Sequence, residues 1–429
     1  MNTLIRTLAG LVLASTLSHA ALADDAAAFS SGSTLLVRNA TVYTMSRDAS
    51  GPLKATDVMV QDGRVTAIGQ ALAAPAGTTV VDAGGRALTP GVFGGLGHVG
   101  LEEIGLEQST GDYAQRLGQM RPEFDVTLAF NPESMSLHVH VINGVTFTLL
   151  TPASASGGSI VAGLGAPTGL DGSAPLSARF MFVDLGGDAN DLSGGSRAAQ
   201  FMLLRQALVE ARAPNLVMVH DERLLSPSGR QVLLEFLKGN GVFVFDVDRA
   251  IDIRNTIAFA REEKLNAVIR GGAEAWRVAA ELAAARIPVV LDPFQNLPNS
   301  FDEVGSTLQN AAKLRAAGVT VTISVSDTDV DDAGKTRQAA GNAVAHGMPW
   351  MDALAAITRA PAEIFGVTDR FGSIERGKPA DFVLWSGDPL DVSSLPDLVV
   401  AGGKVQKLES RHTVLRDRHY ERVKSGLAR

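Results

Sequence analysis

The amino-acid sequence predicts an α/β protein: a (β/α)8 barrel plus a small β-sandwich composed of N- and C-terminal segments. Three observations predict it. Both ends of the chain carry short β-type runs punctuated by glycine and proline. The middle alternates short apolar runs with helical stretches, the rhythm of parallel βα units. From Val92 onward these apolar runs number about eight, the count that closes a parallel barrel.

The first residues set an address. Arg6, the apolar run "TLAGLVLASTL" and "ALA" before Asp24 have the layout of a secretory signal peptide cleaved near Ala23. The run is shorter than the roughly 20 residues a membrane span needs, so residues 1–23 read as a leader rather than an anchor. The expectation is a periplasmic protein, secreted across the inner membrane, with no membrane attachment in its mature form. A net charge of −8, about −9 once Arg6 is gone, argues against nucleic acid or anionic lipid as partners. The 45% hydrophobic fraction excludes disorder. There is no cysteine, which removes disulfides, thiolate metal sites and cysteine nucleophiles together.

Residues 24–88 form the N-terminal part of the predicted sandwich. "TLLVRNATVYTM" and "DVMVQDGRVTAIG" cluster β-formers, and Asp62-Gly63 is the signal of a tight hairpin. Residues 369–410 return to it with "GSIERGKPADFVLWSGDPL" and "DLVVAGGKVQKLE", and residues 411–429 are a charged tail. The barrel is expected over 89–368. Its strands are a run ending near His98, then "GVTFTLLTP", "RFMFVDL", "NLVMVHD", "GVFVFDVD", "NAVIRGG", "IPVVLDP" and "GVTVTISVSD". The glycine-rich "GSIVAGLGAP" lacks the strand-to-helix setting of a phosphate loop, and no Gly-x-Ser-x-Gly elbow is present.

"TPG" before the first barrel strand, and "ALAAITRAPAEIFGV" followed by "GSIERGKPADFVLWSGDPL", resemble the amidohydrolase superfamily, most closely its exported imidazolonepropionase-like members. The resemblance covers nearly all of the mature chain. It implies a TIM-like barrel and hydrolysis of carbon–nitrogen bonds other than peptide bonds, often in cyclic amides or imidazolones. It also implies one or two divalent metal ions that acidify a bound water and polarise the carbonyl. The ligands it implies are His-x-His on the first strand, lysine or glutamate on the fourth and histidines on the fifth and sixth. An aspartate closing the last strand takes the proton.

Set against that pattern, the site is incomplete. The first strand reads Gly94, Gly95, Leu96, Gly97, His98, so only the second histidine is present. The fourth run ends at His220 with no lysine; a ligand and a solvent-facing histidine are both open readings. The fifth run puts Asp246 at the histidine position, as a ligand or as the partner of Arg249 or Arg270. On the sixth, Arg270 or Gly271 takes the histidine's place, and a guanidinium cannot ligate a metal. The eighth ends at Asp327, matching the family's aspartate, with helix capping as the alternative. His138 and His140 form the one His-x-His, on a segment expected to be helical and away from the mouth.

Two readings stand. One is a hydrolase with a reduced, zinc-like single-metal site built from His98, His220, Asp246 and Asp327, in which Asp327 or Arg270 acts on the substrate. Glu102, Glu103, Asp292 and Asn296, on loops after the first and seventh strands, would line a pocket for a small polar molecule. The other is a catalytically inactive periplasmic binding protein on the same fold, holding no metal at all. A homodimer is the expected assembly by resemblance alone.

Overall fold

A computed structural model describes residues 34–105, 107–213, 223–239, 241–325, 332–410 and 413–420. It divides into two compact units, residues 93–137 with 147–368 and the remainder of the chain.

The smaller unit begins with β1 (Leu35–Val42), β2 (Leu53–Gln61), β3 (Arg64–Gly69), β4 (Thr79–Asp82) and β5 (Ala87–Pro90). Asp62 and Gly63 both have positive φ, 49° and 71°, the backbone a two-residue hairpin turn requires between β2 and β3. Strands from the other chain end complete one eight-stranded sheet whose order the pairing fixes: the last strand of the chain at one edge and β3 at the other. Alternate residues Leu35 and Val37, Val58 and Val60, and Phe382 and Leu384 share one buried face, as period-2 patterning demands. The sandwich expected from the sequence goes further than this single sheet.

The larger unit holds β6 (Val92–Gly97, from Phe93 onward), β7 (Ala114–Gln115), β8 (Val145–Leu150), β9 (Ala153–Ser154), β10 (Val161–Gly169) and β11 (Phe180–Asp184). It continues with β12 (Val242–Val247), β13 (Asn266–Gly271), β14 (Val289–Leu291) and β15 (Val321–Ile323). Eight of these form a nearly closed barrel in the order β15-β14-β13-β12-β11-β10-β8-β6. The returning strands of the smaller unit are β16 (Phe382–Trp385), β17 (Pro396–Ala401) and β18 (Lys404–Val405).

Two features of the barrel differ from the expected all-parallel ring. β10 runs antiparallel to both β8 and β11, and it is the glycine-rich segment that the eight expected strands left out. Glycine is needed there by close approach: a Cβ on Gly165 would lie 2.1 Å from Leu150 O. Secondly, β11 pairs directly with β12, whereas the sequence places "NLVMVHD" between them. That run lies outside the described residues.

Helices cover the outer face. α1 (Met135–Val141) is short; α2 (Arg197–Arg212), α3 (Pro227–Lys238) and α4 (Ala250–Glu263) are the longest. α3 starts where Ser226 accepts the Gly229 N–H at 2.9 Å and Pro227 fills the first turn, and Lys238 ends it. Met181, Val183, Phe243 and Phe245 point outward onto Leu204, Leu208, Leu233 and Phe259 of these helices. The alternate residues of the same strands therefore face into the barrel. Its floor is aromatic: Phe93, Phe147 and Phe180 gather around Phe365 or each other with centroids 5.1–5.8 Å apart. Four residues above Phe180, on the same inward face, stands Asp184.

Candidate active site

Three adjacent parallel strands end in a row of charged side chains. Asp184 on β11 is in register with Asp246 on β12, and Asp246 with Arg270 on β13. All three sit at C-terminal strand ends, the face on which barrels of this kind assemble their chemistry. Arg270 Nε lies 3.4 Å from Asp246 Oδ2, so the alternative of an ion pair is the one the geometry forms. The Asp246 side chain retains 36% exposure, which leaves the row reachable from solvent.

Burial dominates the protonation of these acids. It pushes Asp246 up to about 6; Arg270 opposes the rise while the charges of Asp184 and Asp188 add to it. Asp184 is raised by the same burial, against hydrogen bonds from Ser154 and the pull of Arg270. A further acid, Asp248, stands two residues beyond Asp246. Burial, then the Asp246 charge, push it up to about 7, although it accepts the Ala273 N–H at 3.0 Å.

The Asp246 and Asp248 carboxylates both lie against Gly271 of the neighbouring strand. Gly271 has φ +81°, and a Cβ built there would meet Asp248 Oδ1 at 2.8 Å and Asp246 Oδ1 at 3.2 Å. A side chain at this position would be strained and would push the Asp248 carboxylate aside, so the position favours glycine over the sixth strand's expected histidine. Asp184 and Asp248 escaped the sequence reading. Their signal is that "RFMFVDL" and "FVFDVD" both end apolar strands in aspartates, at positions outside the family's ligand pattern.

The rim is fastened by a second charged cluster. Asp302, in the loop after β14, accepts the Gly187 N–H at 2.6 Å and pairs with Arg197 at the start of α2. Arg197 Nε also reaches Asp252 Oδ2 at 3.3 Å, and Arg249 Nε reaches the same oxygen at 3.7 Å. Burial raises Asp252, with Arg249 and Arg197 opposing. Loops after β11 and β14 are thus tied to helices α2 and α4.

The remaining sequence candidates are placed variously. His98 is 2% exposed, its ring stacked on Tyr113 with centroids 3.6 Å apart and planes 5° from parallel. Glu103 accepts hydrogen bonds from Asn131 Nδ2 at 2.6 Å and Ser134 Oγ at 2.8 Å, which pin its loop. Glu102 is buried beside the His98 turn, its N–H donating to His98 O. Asp292 accepts the Phe294 N–H at 2.8 Å and shapes a turn; Asn296 is exposed. His220 and Asp327 lie outside the described residues. His138 and His140 are on α1: the first meets Glu409 O at 2.7 Å and the second is buried.

The metal implied by the resemblance finds a poor fit. Among the described residues no three His, Asp or Glu side chains converge to hold an ion. Asp246, one of the expected ligands, is paired with a guanidinium that stays protonated. Two unit charges 4 Å apart repel by about 4 kcal/mol at an effective dielectric of 20, and a divalent ion doubles that.

With fold and site in view, relatives can be compared. The amidohydrolase family model matches residues 235–409. An amidohydrolase structure from Thermotoga maritima MSB8 superimposes with a TM-score of 0.76 at 27% identity, covering 86% of this chain and 99% of that one. Amidohydrolase tasK of Hapsidospora irregularis is 25% identical over 399 residues, 82% of this chain but 40% of that protein, so the chain spans less than half its relative's length. A dihydroorotase from Geobacter sp. (strain M21) is 42% identical over a 73-residue segment, 17% of this chain and 16% of that one. The barrel with its strand-end charges is that of a hydrolase-type fold. The matched model and the structural likeness make the chain similar to amidohydrolases in sequence over its C-terminal part and in fold over most of its length.

Proposed function

We propose that the protein hydrolyses a carbon–nitrogen bond other than a peptide bond in a small polar substrate, a cyclic amide or imidazolone-like ring. The observation that carries this reading is the pairing of Asp246 with Arg270 opposite Asp248 at an open strand-end corner. Arg270 N–H groups receive the scissile carbonyl oxygen and hold the charge that develops on it. Asp248 takes a proton from a water molecule as the water oxygen bonds to the carbonyl carbon. The tetrahedral adduct then collapses: the carbon–nitrogen bond breaks and the nitrogen leaves with the proton that Asp248 returns. Water is consumed, and one carboxylic acid and one amine appear. Asp246 keeps Arg270 oriented. No step runs through a metal ion, because the described donors do not fit one.

The test is a panel of cyclic amides, imidazolones and ureas, followed by release of amine or acid. Wild type should turn over at least one class, and Asp248→Asn should lose about 10²–10⁴-fold in kcat. A folded protein that binds panel members, read by thermal shift, yet turns over none would overturn the hydrolase reading in favour of a binding protein. The N-terminal layout supports a periplasmic location, which fractionation of cells carrying the full chain would check; no described helix is long and apolar enough to cross a membrane.

A further inference from the structure

We infer that Arg270 is the fixed cation of this site, and that the protein carries no catalytic metal ion beside it. The inference rests on the hydrolase reading for what the cation does, but not for whether a metal binds. Three observations converge. The guanidinium occupies the strand-end row itself, in register with Asp246 and 3.4 Å from its carboxylate, where a second cation would be repelled. Gly271, the adjacent position able to carry a histidine in sequence terms, has φ +81°, and a side chain there would be strained and would displace Asp248 Oδ1, 2.8 Å from its Cβ. Among the described residues no trio of metal-binding side chains gathers, and His98 is sealed from solvent against Tyr113.

A guanidinium also suits the task chemically. It presents several N–H donors in a fixed plane, stays charged across the physiological range, and needs no ligand shell. Asp246 orients it from one side.

Metal content of the full-length protein, purified after growth with added zinc, cobalt and manganese, is the first readout and needs no substrate. The expected result is far less than one ion per chain, no visible absorption band on titration with Co²⁺, and a melting temperature unmoved by either Zn²⁺ or a chelator. One tightly held ion per chain, lost to a chelator together with activity, overturns the inference whatever the substrate proves to be. Where the panel yields a substrate, Arg270→Ala should lose at least 100-fold in kcat and regain part of it on addition of millimolar guanidinium. Arg270→Lys should retain more activity than Arg270→Ala. A variant that folds, is inactive and responds to neither measure removes Arg270 as the cation. Failure of the panel alone removes the hydrolase reading and leaves the metal measurement standing.

Discussion

Gly271 and Asp248 are locked to one another: the carboxylate oxygen of Asp248 sits 2.8 Å from the point where a Cβ on residue 271 would be. The glycine is also at φ +81°, a conformation that costs an L side chain strain of its own. Gly271→Ala should therefore destabilise the protein by about 1–3 kcal/mol and displace Asp248 from its hydrogen bond to Ala273. Urea unfolding would measure the first effect and kcat the second. An alanine variant as stable and as active as wild type would show that the corner is not held this tightly.

The rim cluster allows a comparison in which burial decides the magnitude. Asp302 is buried and serves both Arg197 and the Gly187 N–H. Removing it with Asp302→Ala leaves Arg197 to Asp252 alone and the Gly187 N–H without its acceptor, a loss of about 1–3 kcal/mol. Arg205 and Glu262 form an equally short pair, 2.6 Å apart, but both are about half exposed. Glu262→Ala should cost less than about 1 kcal/mol, because solvent already screens that pair. Chemical denaturation of the two variants side by side is sufficient. Equal costs would mean that Asp302 does not tie the loop after β14 to α2.

Asp248 makes stability depend on pH in a particular direction. Its folded-state value is raised to about 7 from an ordinary carboxylate value near 3.8. Between these values the folded state holds more protons than the unfolded chain, so stability falls as pH rises. The contribution is complete below about pH 4 and is lost as pH passes through 7. Asp248→Asn cannot ionise, so relative to wild type it should gain about 1–2 kcal/mol between pH 5 and 8, less than full conversion of the shift since the corner is open to water. Unfolding midpoints at the two pH values check this; parallel midpoints for both proteins would contradict it.

Much of the architecture was written in local patterns. The Asp62-Gly63 turn and the strand-helix-strand rhythm around "VIRGGAEAW" follow from period and turn chemistry, whereas the return of the C-terminal strands to the first sheet was implied by the resemblance. β10 did not, because its glycines serve a non-local need: Gly163 and Gly165 let the strand pass close to Phe124 O and Leu150 O, contacts no sequence window contains. The site divides the same way. Asp246 and Arg270 are visible as strand-end charges, whereas the importance of Asp248 depends on its being pressed against Gly271 across a neighbouring strand. Burial, and then the charge of Asp246 two residues back on the same strand, make that group an acid near neutrality, and the burial is what no sequence window shows.

The pH dependence of catalysis separates a carboxylate base from a metal-bound water. If Asp248 accepts the proton, kcat/KM rises with pH through about 7 and levels off above it. A metal-bound water would also ionise near 7, so the wild-type profile alone does not discriminate. The variant does. In Asp248→Asn the limb near pH 7 should disappear, leaving only the dependence that Asp246, raised to about 6, imposes below it. A limb that survives at the same pH in a weakened Asp248→Asn enzyme would assign the proton to a bound water, and with it return the site to metal chemistry.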